Sequence, residues 1–220
     1  MQKDKKITII TGHYGSGKTN IAINLALKCA KSDEKTVLVD LDIVNPYFRA
    51  SDSASVLREN GIRVIAPIFA NTNLDLPSLP AEINSVFDSD EQRVIIDSGG
   101  DDTGAVVLGR YKNRIKVFEY ELLYVVSRYR PLTADAKEAA EILKEIEFAS
   151  GLKATGLINN SSLGEDTAPR EVRAAIQYAE KIAAITNLPI KYTTVSEAIA
   201  GELKDVKNLF PIKLYTKTYW

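Results

Sequence analysis

Gly12-His13-Tyr14-Gly15-Ser16-Gly17-Lys18-Thr19 is the stretch whose reading decides the fold. It has GxxxxGK[ST] spacing, follows directly on the apolar run Lys6–Thr11, and opens a helical pattern over Thr19–Lys31. Strand, glycine-rich loop and helix together turn this string into a mechanism. Glycines at 12, 15 and 17 let the backbone curl until successive N–H groups face inward as a nest for phosphate oxygens. The helix N-terminus adds partial positive charge. Lys18 is expected to bridge the outer phosphates, and the Thr19 hydroxyl to join a Mg²⁺ shell completed by phosphate and water. The whole run from Gly12 to Thr19, with Asn20 after it, is the expected nucleotide cradle. A glycine-rich turn without a ligand is the plain alternative, and the strand and helix around it argue against that. His13 is the only histidine. A part in hydrolysis is open to it, but charge sensing or a subunit contact is the better reading for a loop residue pointing away from the cradle.

The rest of the chain repeats the strand-and-helix alternation. Candidate strands are Lys6–Thr11, Thr36–Asp40, Arg63–Ala66, Arg93–Asp97, Leu122–Ser127, Ala154–Asn159 and Ile190–Thr193. Most are continuous β-branched and apolar runs, which suit strands covered on both faces of a parallel sheet. Thr19–Lys31 is apolar nearly all round and should be deeply packed. Cys29 belongs to it, with core packing favoured over reactivity. Ala136–Ala149 carries Ala136, Ala139, Leu143 and Ile146 on one stripe with Thr133 as the expected N-cap, and Pro169–Ala184 repeats the scheme with Val172, Ala175, Ile176 and Ala179. The expected fold is α/β: a single doubly wound domain over 1–220, its mostly parallel sheet flanked by helices, of the P-loop NTPase type.

A P-loop needs a carboxylate near Mg²⁺, delivered by a neighbouring strand end. Two strands qualify. Val37-Leu38-Val39-Asp40-Leu41-Asp42 ends one with two carboxylates, and Val94-Ile95-Ile96-Asp97-Ser98-Gly99-Gly100-Asp101 ends another with an Asp before a glycine pair. Asp97 is expected to hold the Mg²⁺ shell through water, and the Gly100 N–H to meet the γ-phosphate so that its loop senses hydrolysis. A turn or helix-cap role is the ordinary alternative for one such Asp; two strand ends beside a P-loop weaken it.

Bulk composition excludes several classes. With 28 basic and 29 acidic residues, no global field exists to hold nucleic acid or an anionic membrane. A single cysteine forms no intrachain disulfide or CxxC pair, and no run approaches the roughly 18 apolar residues of a membrane span. The expectation is a soluble cytoplasmic protein. Arg110-Tyr111-Lys112-Asn113-Arg114-Ile115-Lys116 is the densest basic stretch, with Arg128 and Arg130 beyond it. A solvated charged face is the better reading there than a nucleic-acid patch.

With these residues assembled, the chain resembles the MinD/ParA/nitrogenase iron protein group of P-loop ATPases over roughly residues 6–200. An N-terminal P-loop, a V-D-x-D strand end about twenty residues later and then D-x-x-G appear in that group's order. The resemblance implies that Asp42 is a first-switch carboxylate positioning the attacking water beside the Mg²⁺ site, with Asp40 in support. It implies that Asp101, in Asp97-Ser98-Gly99-Gly100-Asp101, is a second water-positioning or signalling residue. Thr155-Gly156-Leu157-Ile158-Asn159-Asn160-Ser161 is similar to the group's G-G-L-I-C-N-S, which puts Asn160 where an amide reads adenine; a strand-end turn is its other reading. No NKxD guanine-reading motif is present, which favours ATP over GTP. Two departures stand out. His13 and Tyr14 occupy the places of the group's early lysine, which reaches a partner's phosphates, and the following glycine. A nucleotide-dependent homodimer therefore remains possible but not by that lysine. The cluster-ligating cysteines are absent. The end of the chain, Leu209-Phe210-Pro211-Ile212-Lys213-Leu214-Tyr215, reads as extended rather than as a membrane-binding helix.

Three functions follow. The first is a Mg-ATP-dependent regulatory or maturation switch acting on a partner protein. The second is an ATP-dependent biosynthetic enzyme of the dethiobiotin-synthetase or cobyrinate-amidase type, with Tyr14, Arg49 and the stretch Pro67–Pro80 as pocket. The third is a nucleotide-binding module without hydrolysis. Tyr47, Phe48 and Arg49, after Asp42, form a partner-docking, substrate-binding or simply packed surface.

Overall fold

The computed structural model describes residues 5–32, 34–42, 52–67, 81–88, 92–100, 102–162 and 164–215. Among these residues there are eight strands: β1 (Ile7–Thr11), β2 (Thr36–Asp40), β3 (Arg63–Ile65), β4 (Arg93–Asp97), β5 (Tyr120–Val126), β6 (Gly156–Asn159), β7 (Ile190–Ser196) and β8 (Leu209–Ile212). They form one sheet in the order β3-β2-β4-β1-β5-β6-β7-β8, and every neighbouring pair is parallel. The continuous apolar runs are explained by this. All five residues of β1 and of β2 are buried, because both sheet faces are covered.

Among the described residues six α-helices cover it: α1 (Lys18–Ala30), α2 (Asp52–Glu59), α3 (Asp102–Gly109), α4 (Lys112–Ile115), α5 (Ala136–Ser150) and α6 (Pro169–Thr186). Alternating strand side chains divide the core in two. Ile7 and Ile9 pack with Ala105, Ile115, Leu143 and Ile182 of α3, α4, α5 and α6, whereas Ile10 packs with Ile21, Ile23 and Leu57 of α1 and α2. Burying each such isoleucine or leucine contributes roughly 1.5–3 kcal/mol relative to exposure. Cys29 forms no disulfide and is half-buried against the α1 side of the core.

Sequence expectation and structure part in a few places. Thr133 does not cap α5: its hydroxyl donates to the Ser127 carbonyl at 2.8 Å. Asp135 is the cap, its Oδ1 accepting from the Lys137 and Glu138 N–H groups at 2.8 and 3.2 Å. A three-residue 3₁₀ turn over Pro131–Thr133 delays the helix start. The extended tail is a true strand, β8, on the sheet edge, where Pro211 can stand without breaking an inner ladder. Beyond it the Lys213 and Tyr215 N–H groups donate to the side-chain carbonyls of Asn24 and Asn20 at 2.9 and 2.7 Å, which fastens the chain end to α1. Among the described residues no helix is long and apolar enough to cross a membrane.

Candidate functional site

Register brings the acidic strand ends to the loop. Asp40 is paired with Asp97, and Asp97 with Ile10, one residue before β1 ends. The loop after β1 then turns back on itself. Gly15 and Gly17 have φ of +75° and +87°, in the left-handed region that a side chain disfavours. Ser16 N–H donates to the His13 carbonyl at 3.1 Å, and the Lys18 ammonium folds back onto the same carbonyl at 3.3 Å. The Lys18 side chain is thus buried at the mouth of the loop. His13 contributes its backbone to the cradle, and Tyr14 beside it is 67% exposed.

The carboxylates are linked to each other and to the loop. Thr19 Oγ1 donates to Asp97 Oδ2 at 2.6 Å. The Leu41 N–H donates to the Asp97 carbonyl at 2.8 Å, and the Asp42 N–H to Asp40 Oδ1 at 2.9 Å. Burial pushes the Asp97 carboxyl up to about 6, and the nearby Asp42 adds to this; Lys18 and the Thr19 hydroxyl act in the opposite direction. Lys18, Thr19, Asp40, Asp42 and Asp97 therefore meet at one place. Asp101 lies outside the described residues, as do Tyr47, Phe48, Arg49 and all of the Pro67–Pro80 stretch except Pro67.

The site fits a nucleotide and Mg²⁺. Thr11 Oγ1, Ser16 Oγ and Asp97 Oδ1 are buried without a hydrogen-bond partner among the described residues. Each such atom costs about 1–3 kcal/mol unless something answers it, and phosphate oxygens and a hydrated cation have the right chemistry. Among the described residues no cluster of three or more His, Cys, Asp or Glu could hold a metal. Mg²⁺ takes one or two protein oxygens and fills its shell with phosphate and water, and Thr19 Oγ1 with Asp97 would be the protein oxygens nearest it.

Gly100 stands closest to the loop. A Cβ there would lie 1.7 Å from the Gly12 carbonyl oxygen. Gly100→Ala is therefore expected to push the loop after β4 off the P-loop and weaken nucleotide binding at least about tenfold. A fluorescent-nucleotide titration on a variant of native circular dichroism checks this.

Asn160, expected to read a base, is found in contact with the P-loop. Its Nδ2 donates to the Ser16 carbonyl at 2.6 Å, and its Oδ1 accepts from the Thr194 hydroxyl. The amide braces the P-loop from the end of β6, and a Cβ on Gly17 would meet it at 2.2 Å. Among the described residues one N–H and one lone pair of the amide remain beyond these two bonds, so they can serve a base.

Arg130, grouped by the sequence reading with a solvated charged face, stands at the P-loop. Its guanidinium lies over the P-loop, with Nε and Cζ 3.4 Å from where a Cβ of Gly15 would stand, and burial lowers its pKa. The segment carrying it is fixed from several sides. Tyr129 and Arg128 donate to the α6 carbonyls of Glu171 and Ala174 at 2.8 and 2.5 Å, and Tyr178 donates to the Thr133 carbonyl. Arginine after a strand end carries no distinctive local signal, so only the fold reveals this placement.

A parallel doubly wound sheet, a P-loop at its central strand and two carboxylate strand ends beside it define a P-loop nucleotide-binding protein. The chain belongs to the family described as the CobQ/CobB/MinD/ParA nucleotide binding domain, which matches residues 7–205. No curated protein sequence matches it. Among solved structures it is similar to the signal recognition particle receptor FtsY from Elizabethkingia anophelis, at 20% identity and a TM-score of 0.53, over 89% of this chain and 60% of that one. Chloroplast FtsY from Physcomitrella patens is similar at 16% identity and a TM-score of 0.60, over 90% and 60%. The signal recognition particle 54 kDa protein from Aeropyrum pernix K1, in complex with GDP, is similar at 17% identity and a TM-score of 0.56, over 88% and 42%. The chain thus spans less than two thirds of the length of these structures, and the likeness is one of fold.

Proposed function

We propose that this chain binds Mg-ATP and works in the cytoplasm as a slow nucleotide-dependent switch on a partner protein. The observation that carries the reading is the linkage of both acidic loops at the P-loop. Leu41 N–H is tied to the Asp97 carbonyl, and Asp97 to the Thr19 hydroxyl, so a ligand at Thr19 acts on the loops after β2 and β4 together. In this reading Lys18 holds the outer phosphates, Asp42 orients the attacking water with Asp40 in support, and Asp97 reaches Mg²⁺ through water. The Gly100 N–H meets the γ-phosphate, and Asp101 relays the change. Mg²⁺ supplies charge neutralisation at the transferring phosphoryl group.

The preference for ATP rests on the lack of an NKxD motif and on Asn160, whose remaining N–H and lone pair match an adenine edge. Competition between ATP and GTP for a fluorescent nucleotide tests it. The expected result is tighter binding of ATP, and Asn160→Ala is expected to cost about 1–2 kcal/mol, roughly tenfold, and to narrow the difference between the two. Equal binding of both nucleotides by the wild type would reject the base preference. Phosphate release tests the switch. Slow turnover by the isolated chain is expected, whereas rapid turnover without a partner, or ADP release driven by a small carboxylic acid, would replace the switch by an enzyme of small-molecule metabolism.

A further inference from the structure

The helical layer made by α3, α4 and α5 carries opposite charge at its two ends. Near the P-loop a groove of about 580 Å³ opens between α3 and α5, floored by Ala105, Ile142 and Ile146 and closed at one end by His13 and Gly100. Glu138, Glu141 and Glu145 line it from one stripe of α5, and Lys137 is the one basic side chain of α5 that lines it with them, so the groove keeps an acidic excess. Glu141 is paired with Lys144 at 2.7 Å; Glu138 and Glu145 make no ion pair among the described residues.

The other end is basic. Both α3 and α5 start at the carboxyl ends of strands and run back to the amino ends, where α4 follows α3. Arg110, Lys112 and Lys116 are exposed there, while Arg114 is held by Asp88 at 2.9 Å. The Lys112 side chain comes within 3.1 Å of where a Cβ of Gly151 would stand, which sets the basic end beside the C-terminus of α5. Large apolar side chains are exposed along the same layer: Val106 at 50%, Val117 at 76% and Phe148 at 92%. Phe148 is seven residues after Glu141, on the groove-lining side of α5.

We propose that this layer is a self-association surface, on which two copies of the chain dock around a twofold axis normal to the helices. Such a rotation sets the acidic end of each copy on the basic end of the other, so both charge contacts form at once and the contact closes. Phe148 and Val106 meet their counterparts between the charged ends, where apolar area drives association and the charges fix the register. A second copy is the occupant because the chain itself supplies the basic complement that the acidic groove requires, at the opposite end of the same layer. This surface differs from a contact made across the nucleotide, and the association does not depend on the switch reading. Its sensitivity to nucleotide does rest on that reading, through Gly100 at the groove end.

Sedimentation velocity of the full chain over a range of concentrations, with and without Mg-ATP, tests the proposal. The wild type is expected to show a monomer–dimer equilibrium. The double variants Glu138→Lys with Glu145→Lys, and Lys112→Glu with Lys116→Glu, are each expected to weaken it at least about tenfold, because like charges then face each other twice. An equimolar mixture of the two double variants is expected to recover the dimer, since each then meets its complement at both contacts. Phe148→Ser is expected to weaken the dimer without rescue by either partner. A wild type that stays monomeric at all concentrations would overturn the proposal and leave the face to another protein. So would a dimer indifferent to both reversals, which would place the contact elsewhere, or reversals that mixing does not rescue. Fluorescent-nucleotide binding by each variant reports separately on folding and on the nucleotide reading.

Discussion

Lys18→Ala is expected to lower nucleotide affinity by roughly a hundredfold while leaving the fold intact. Lys18 is 6% exposed, and among the described residues its ammonium donates to the His13 carbonyl alone, at 3.3 Å, before any phosphate arrives. Removing it breaks one long hydrogen bond within the loop and takes away a positive charge that holds the Asp97 carboxyl down against burial. With phosphate present the same ammonium makes charge-assisted hydrogen bonds in a water-poor cradle, and losing them costs about 3 kcal/mol. Lys18→Arg separates charge from shape: the loop closes around a compact ammonium, and a planar guanidinium does not fit the same space. Arginine is thus expected to rescue little. Fluorescent-nucleotide titration measures the affinity, and circular dichroism without nucleotide should match wild type, with a lower melting temperature at pH 7 because Asp97 loses its cation. An affinity within about threefold of wild type would remove Lys18 from the phosphate site.

The parts of this site that were legible in the sequence are those that act through the backbone or through burial. Gly15 and Gly17 announce left-handed turns because other residues are strained there, and runs such as Val94-Ile95-Ile96 announce a strand covered on both faces. An aspartate directly after such a run stands at a strand end wherever the strand lies in the sheet. For that reason Asp40 and Asp97 could be picked out, but their side-by-side pairing could not, since it depends on the strand order β2-β4-β1. The placements of Arg130 and Thr194 were illegible for the same cause: Arg130 touches the loop from the turn after β5, and Thr194 touches its brace from β7, both far away in sequence. The brace by Asn160 was half legible. Its position at the end of β6 was readable, but its hydrogen bond to Ser16, 144 residues away, was not. The cap of α5 failed on local geometry, as the turn over Pro131–Thr133 moved the helix start from Thr133 to Asp135.

Asp97→Asn is expected to stabilise the nucleotide-free protein at neutral pH and at the same time to remove Mg²⁺-dependent nucleotide binding. Burial raises the Asp97 carboxyl from 3.8 to about 6 in the folded chain, with Asp42 adding to the rise. The folded state therefore holds the proton more tightly than the unfolded chain does. This favours the fold fully below about pH 4, and the advantage is lost as pH rises through about 6. Above that, carrying the charged carboxylate in the buried site costs on the order of 3 kcal/mol. An amide of nearly the same shape still accepts from the Thr19 hydroxyl and carries no charge to desolvate, so the variant escapes the cost. Its nucleotide-free melting temperature at pH 7 should exceed that of wild type by several degrees, and the gap should shrink as pH falls toward 4. Adding Mg²⁺ and nucleotide should reverse the ranking. The wild type gains stability through a cation that neutralises Asp97, and the variant, with a weak ligand in that position, gains far less. A nucleotide-free variant less stable than wild type at pH 7 would mean that Lys18 outweighs burial at this carboxylate. The crossing of the two curves with ligand identifies Asp97 as a residue kept for binding at the expense of the empty fold.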